Sequence, residues 1–231
     1  MFLKFQRSAG KVLLTILWDV DGPICLDFLS SRQHMNSDLY CDILVKKLKP
    51  GIRNKRRGKL SKGVLFLHDN ARPHTSCKTV STIIKLGFEV LEHPAYSPDL
   101  APSDYFLFGL LKMELKGKRF DSDEDVQKVM QDFFHTLPKS AYKEGNYKLP
   151  ERWRRCIESQ GKWMPRCWKK KDSFDEESSS GVYQSLLSDI ATTDQFVAEC
   201  RCIEVLQDGE CCLQIRALAQ YDLSRLPGRR D

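Results

Sequence analysis

The 231-residue sequence predicts an α/β fold, a mixed sheet flanked by helices, from three observations. Two apolar, β-branched runs at 11–18 and 23–29 are divided by Asp19 to Gly22 and read as an antiparallel hairpin. Two wholly or largely apolar four-residue runs, Val64–Leu67 and Phe88–Leu91, bracket a stretch of helical spacing, the pattern of a parallel strand–helix–strand crossover. Helical periodicity then takes over from about residue 104 to residue 159.

Taken in order, the spacing of Leu39, Ile43, Leu44 and Leu48 predicts a helix from Asn36, with Asn36 or Ser37 as N-cap and Pro50–Gly51 as its stop. The short run at 64–67 suits a buried strand and delivers His68, Asp69 and Asn70 at its C-terminal end. A helix over 75–86 ends at Gly87. Pro94, Pro98 and Pro102 hold the next loop extended, and Ser103 is placed to cap a helix over 104–116 that Gly117 stops. Two more helices are expected at 122–137 and 150–159, with Pro138 and Gly161 as terminators.

Charge divides the chain unequally. Residues 1–164 hold 28 Lys and Arg against 19 Asp and Glu, whereas 165–231 hold 9 against 12, so the larger part suits a polyanionic partner and the tail does not. Nine cysteines, an odd number without a credible secretory signal, argue for reduced thiols rather than a disulfide framework. The apolar stretch ending at Trp18 follows Lys4, Arg7 and Lys11, but its seven residues are too few to span a membrane. Between Lys46 and Lys62, nine of seventeen residues are basic and none is acidic. A solvated loop explains such a run; so does a nucleic-acid backbone contact through Lys46, Lys47, Arg53, Lys55, Arg56 and Arg57.

The residues with the most chemical content are Asp69 and Asp104, separated by 34 residues within FLHDNARPH and HPAYSPDLAPSDYFLF. One follows an apolar strand and the other begins a helix, so both are placed to reach one edge of the sheet, where hard oxygen ligands hold divalent metal for phosphoryl transfer. The plain structural alternative makes Asp69 a turn residue beside Asn70 and Asp104 a helix-terminal carboxylate. His68 and His74 flank the same loop and read first as hydrogen-bonded structural residues. Asp19 and Asp21 read as a hairpin turn, Asp99 as an organiser of the proline-rich loop, and Trp153 and Trp163 as packing residues.

Those two stretches, with ILWDVDG, KRFDSDEDV and KLPERWRRCIESQGKWM, resemble the mariner-type DNA transposases of the DD34D group over about residues 11–164. The resemblance implies an RNase H-like catalytic domain in which Asp69 and Asp104 bind Mg²⁺ or Mn²⁺ for DNA cleavage and strand transfer. It also implies that the family's first catalytic Asp, on a central strand, and its helix-turn-helix modules lie upstream of the matched stretch. Without that strand, the hairpin and the 64–67 strand are expected to leave unpaired inner edges, with residues 1–6 as a possible short substitute carrying no carboxylate. DNA is the implied partner and the nucleus the implied location; a second copy of the chain is an open partner. Expected activity is impaired, the rival reading being a non-catalytic DNA-binding or dimerising module derived from a transposon. Residues 165–181 read as a charged, serine-rich linker and 182–231 as an unassigned tail with a short helix near 183–190. Cys200, Cys202, Cys211 and Cys212 lack regular zinc-ligand spacing.

Overall fold

The computed structural model describes residues 11–29, 33–94, 97–118, 120, 122–159, 196–199 and 203–206. Strands β1 (Lys11–Asp19) and β2 (Gly22–Leu29) form the hairpin, running from Leu13 opposite Leu29 to Asp19 opposite Gly22, with a bulge between Leu17 and Trp18. Gly22 closes the turn at φ +111°, where a side chain is strained, and a Cβ there would stand 3.4 Å from the Tyr142 ring. Residues 12–19 of β1 are all buried. A strand covered on both faces belongs in the middle of a sheet, so β1 needs a neighbour on each edge.

Helix α1 (Ser37–Ile43) starts where expected, the Asn36 side chain accepting the Leu39 N–H at 2.9 Å. It does not stop at Pro50 and Gly51. A π-helical turn over Leu44–Leu48 leads into α2 (Lys49–Lys55), which has Pro50 in its first turn, where proline's missing N–H costs little. Gly51 is there for contact, since a Cβ would come 3.0 Å from Ile24 Cγ2. After the short α3 (Lys59–Lys62), strand β3 (Val64–Leu67) pairs in parallel with β4 (Phe88–Leu91), Val64 opposite Phe88 through Leu67 opposite Leu91. The crossover is α4 (Arg72–Thr75) and α5 (Cys77–Leu86) rather than one helix, because extended Ser76 breaks the chain and caps α5 with its hydroxyl on the Thr79 N–H, 3.2 Å. Gly87 ends α5 at φ +76°, as expected of a C-terminal glycine.

Two further expectations are corrected. Ser103 does not stand before the helix but opens a π-helical turn, Ser103–Leu107, that continues as α6 (Phe108–Leu115), and its hydroxyl accepts the indole N–H of Trp18 at 2.9 Å. Helix α7 (Asp123–Thr136) is capped by Ser122, but α8 runs over Lys139–Glu158 and carries Pro150 inside it instead of starting there. Tyr142, Leu149, Trp153 and Cys156 recur along one buried face of α8, and that packing holds the helix through the proline.

The expected pair of half-sheets is not found. Strand β5 (Phe196–Glu199) lies between β1 and β3, antiparallel to β1, with Leu17 opposite Glu199 and Asp19 opposite Val197, and parallel to β3, with Leu65 opposite Phe196 and Leu67 opposite Ala198. Strand β6 (Ile203–Leu206) continues along β1. The order β2-β1-β5-β3-β4 therefore has its inner edges paired. On one face Leu14, Ile16 and Trp18 pack with Leu111, Met130, Phe134 and Trp153. On the other, Leu17 and Phe66 pack with Tyr40, Leu44 and Ile52. Residues 1–6, the 165–181 linker, the expected 183–190 helix, Trp163 and the four tail cysteines lie outside the described residues. Among the described residues, no helix is long and apolar enough to cross a membrane.

Candidate metal and nucleic-acid site

Asp69 lies two residues past the end of β3 and is 9% exposed. Its Oδ1 accepts the Ala71 N–H at 2.7 Å, the Asx-turn geometry that such a residue adopts, and stands 2.7 Å from His74 Nδ1. His74 is in turn packed on Tyr40, ring centroids 4.2 Å apart. Asn70 ties the loop to the segment after β4 by donating from Nδ2 to the His93 carbonyl at 2.6 Å. His68 stacks on Phe66 at 5.3 Å, and burial first, then the neighbouring His74 charge, pushes its pKa down to about 4. It is a neutral packing residue at neutral pH, and its buried Nδ1 has no hydrogen-bond partner, so the hydrogen bond expected of it is not found at that atom. Arg72 opens α4 and is exposed.

Asp104 sits in the first turn of the Ser103–Leu107 segment, half-buried, with its N–H on the Ala101 carbonyl at 2.9 Å. Neighbouring Ser103 is fastened to Trp18, which is opposite Ala198, which is opposite Leu67. That row ties the turn that carries Asp104 to the sheet through Trp18, and Asp69 follows the end of β3 two residues beyond Leu67. Three contacts from α8 fix the Asp104 turn. Tyr105 donates its hydroxyl to the Gly145 carbonyl at 2.6 Å, Phe106 fills the notch left by Gly145, and the Arg152 guanidinium lies 3.9 Å from the Tyr105 ring centroid. Arg152 also donates to the Asp99 carbonyl at 3.0 Å, a backbone contact that ties the proline-rich loop to α8. Sequence reasoning missed Gly145 and Arg152; the signal was a glycine and an arginine on a helix otherwise read only from residue 150 onward.

Asp69 and Asp104 supply hard oxygen donors of the kind Mg²⁺ or Mn²⁺ takes. Among the described residues, no group of three or more His, Cys, Asp or Glu side chains is arranged to hold a metal ion. The donor set is thus a partial fit, two carboxylates from two elements.

The basic run resolves into distinct roles. Arg56, expected on a nucleic-acid backbone, turns inward onto Asp19, its Nε 2.9 Å from Oδ2 and its Nη2 2.8 Å from Oδ1, and Lys59 Nζ adds a contact at 2.7 Å. Asp19 is wholly buried, far more than a turn residue needs to be. Burial pushes its carboxyl pKa up, but the hydrogen bonds and charges of Arg56 and Lys59 outweigh this and hold it below the ordinary value. Lys55 donates to the carbonyls of Pro23 and Ile24, Lys47 pairs with Asp27, and Lys46 makes an exposed pair with Asp42. Arg53 and Arg57 are exposed at the end of α2.

A sheet of this order with helices on both faces, and carboxylates after its third strand and at a following helix, is the plan of a DDE-type transposase catalytic domain, in part. A family model described as transposase (partial DDE domain) matches residues 2–62. The chain is 40% identical over 161 residues to the mariner Mos1 transposase of Drosophila mauritiana, covering 69% of this chain and 46% of that protein. It is 35% identical over 160 residues to the human histone-lysine N-methyltransferase SETMAR, covering 67% of this chain and 22% of that protein. The Mos1 catalytic domain solved with raltegravir and Mn superposes with a TM-score of 0.62 at 38% identity, over 68% of this chain and 83% of that one. A pre-cleavage Mos1 transpososome gives 0.64 at 37% identity, over 71% and 48%. The chain belongs to the mariner transposase family, as a partial catalytic domain, and spans less than half the length of the two full-length relatives.

Proposed function

We propose that this chain is a repurposed mariner catalytic domain that engages DNA in the nucleus and binds Mg²⁺ or Mn²⁺ weakly through Asp69 and Asp104, without supporting transposition by itself. The observation that carries this reading is a supply of two carboxylates from two elements, with no group of three or more His, Cys, Asp or Glu side chains arranged to hold a metal ion among the described residues. Two-metal phosphoryl transfer needs ligands on both ions, so a two-carboxylate set lowers both affinity and rate. Relatives support the DNA and metal parts. The Mos1 catalytic domain has been solved with Mn and with Mg, and Mos1 itself in paired-end complexes. A human protein named for histone-lysine methylation carries a stretch of the same kind, which supports repurposing.

On DNA, the available cations are Arg53 and Arg57, with Lys46 as an exposed contributor; Arg56 serves the fold. Neutralising Arg53 and Arg57 together should weaken binding to any duplex and flatten the salt dependence by about two phosphate contacts, about 0.9 in log–log slope for each. Fluorescence anisotropy over a salt series tests this. Plasmid nicking in Mn²⁺ tests the rest. Sustained excision and reinsertion of a mariner element by the purified chain would overturn the proposal, whereas a slow nick that Asp69→Asn and Asp104→Asn both abolish would mark residual chemistry at the same site.

A further inference from the structure

We infer that His74 is the positioning residue of Asp69: its imidazole Nδ1–H, steadied by neighbouring aromatic rings, holds the carboxylate in one orientation at the end of β3. Its bearing on metal rests on the reading of Asp69 as a ligand given above. The hold itself is a property of the chain alone.

The geometry converges on one oxygen. Asp69 Oδ1 accepts the Ala71 N–H at 2.7 Å and stands 2.7 Å from His74 Nδ1, so two donors from the same loop meet there. An ionised carboxylate only accepts, and the contact therefore requires a proton on Nδ1. The Asp69 and His74 side chains are 6% and 7% exposed, and a carboxylate so buried without donors would be strongly disfavoured. The five-residue separation of the two side chains is closed by an Asx turn followed by the single turn of α4.

The ring is itself supported. Tyr40 of α1, wholly buried, covers it at a centroid distance of 4.2 Å, and His68 meets it edge-on at 5.6 Å. Helix α4, which carries the ring, is fastened at both ends. The His74 N–H bonds to the Ala71 carbonyl at 2.8 Å, and the Pro73 carbonyl accepts the hydroxyl of Thr79, a buried residue of α5, at 2.6 Å. Packing against Tyr40 would be served by a phenyl ring; a nitrogen set on a buried carboxylate is what packing does not need. A carboxylate fixed before any cation arrives has little reorganisation left to undergo on binding, and outer partners of this kind are worth about 10–100-fold in metal affinity.

Two substitutions in the full chain separate the ring from the donor. His74→Phe keeps a ring on Tyr40 and removes the donor, whereas His74→Asn keeps an N–H close to the Nδ1 position and gives up the ring. Amide exchange followed by NMR without metal reads the Ala71 N–H, and Mn²⁺ titration followed by electron paramagnetic resonance reads the site. The Phe variant should speed Ala71 exchange by about 10-fold or more and weaken Mn²⁺ binding by about 10–100-fold, while the Asn variant stays within about 3-fold of wild type in both. A Phe variant with wild-type Ala71 exchange, or an Asn variant that loses as much as the Phe variant, would overturn the inference. The wild-type ring supplies a reading that needs no variant to fold: its nitrogen chemical shifts should show a proton on His74 Nδ1, and a bare Nδ1 would also overturn it. A wild-type chain that takes up no Mn²⁺ would instead sink the metal binding proposed for Asp69 and Asp104, with the Ala71 amide and the ring shifts still deciding whether His74 holds Asp69.

Discussion

The buried triad of Asp19, Arg56 and Lys59 permits a quantitative test of the fold's electrostatics. Asp19 is 0% exposed, and the Arg56 and Lys59 side chains are 14% and 10% exposed. Replacing Arg56 with methionine keeps most of the volume and leaves the carboxylate with Lys59 and the Asp21 N–H, 3.0 Å away, as its remaining partners. Removing one partner of a buried ion pair costs about 3–5 kcal/mol, and the surviving Lys59 contact places the expected loss at the lower end, about 3 kcal/mol. Denaturant unfolding should show a lower midpoint at unchanged slope. The pH dependence has a definite sign. The carboxyl of Asp19 is held below its ordinary value in the folded state, so its contribution is complete above about pH 4, its unfolded range, and is lost as pH falls through the lower folded value. The stability gap between wild type and Asp19→Asn should therefore narrow below about pH 4 and be flat above about pH 5. A loss under about 1 kcal/mol for Arg56→Met, the size of an exposed surface pair, would refute the reasoning.

Other substitutions probe separate parts. Gly145→Ala puts a Cβ 2.6 Å from Phe106 Cδ1, beside the Asp104 turn, and should destabilise by about 1–3 kcal/mol, read as a lower Tm. Ser76→Ala removes the cap on α5 and should cost about 1 kcal/mol in denaturant unfolding, with Ser76→Asp retaining most of it. Among the described cysteines, Cys77 is exposed whereas Cys25, Cys41 and Cys156 are buried, and burial pushes the Cys25 thiol up to about 11. Brief alkylation at pH 8 followed by peptide mapping should label Cys77 in the native chain and reach the other three only after denaturation.

What the sequence revealed and what it hid follow from the range of the interactions involved. The hairpin, β3, β4, the Asn36 cap and the Gly87 stop are local events, written within four or five residues, and they appear where periodicity and turn chemistry put them. Helix ends at prolines were misread for one reason. Pro50 and Pro150 look like boundaries because proline lacks a donor, yet Pro50 falls in a first turn where none is needed, and Pro150 is carried by the packing of Leu149 and Trp153. Neither fact is visible without the tertiary contacts. The site was legible to the same degree. Asp69 and Asp104 stand out by motif, but the residues that position the Asp104 turn, Gly145 and Arg152, come from a helix about 40 to 50 residues away.

The basic run shows why charge counting cannot assign partners by itself. Nine cations in seventeen residues read as one electrostatic surface, but a cation beside a buried carboxylate is spent on the fold before any polyanion arrives. Arg56 and Arg57 are sequence neighbours of identical chemistry. One closes on Asp19 across 37 residues of chain and the other faces solvent, because successive side chains at the frayed end of α2 point in different directions. The same reasoning applies to the C-terminal segment. Its acidic balance argues against DNA, but β5 is drawn into the sheet by unmet backbone hydrogen bonds, a demand set by β1 and β3 and not by charge. Backbone satisfaction thus decides the architecture around Asp69, and the few cations left over decide what that architecture can meet.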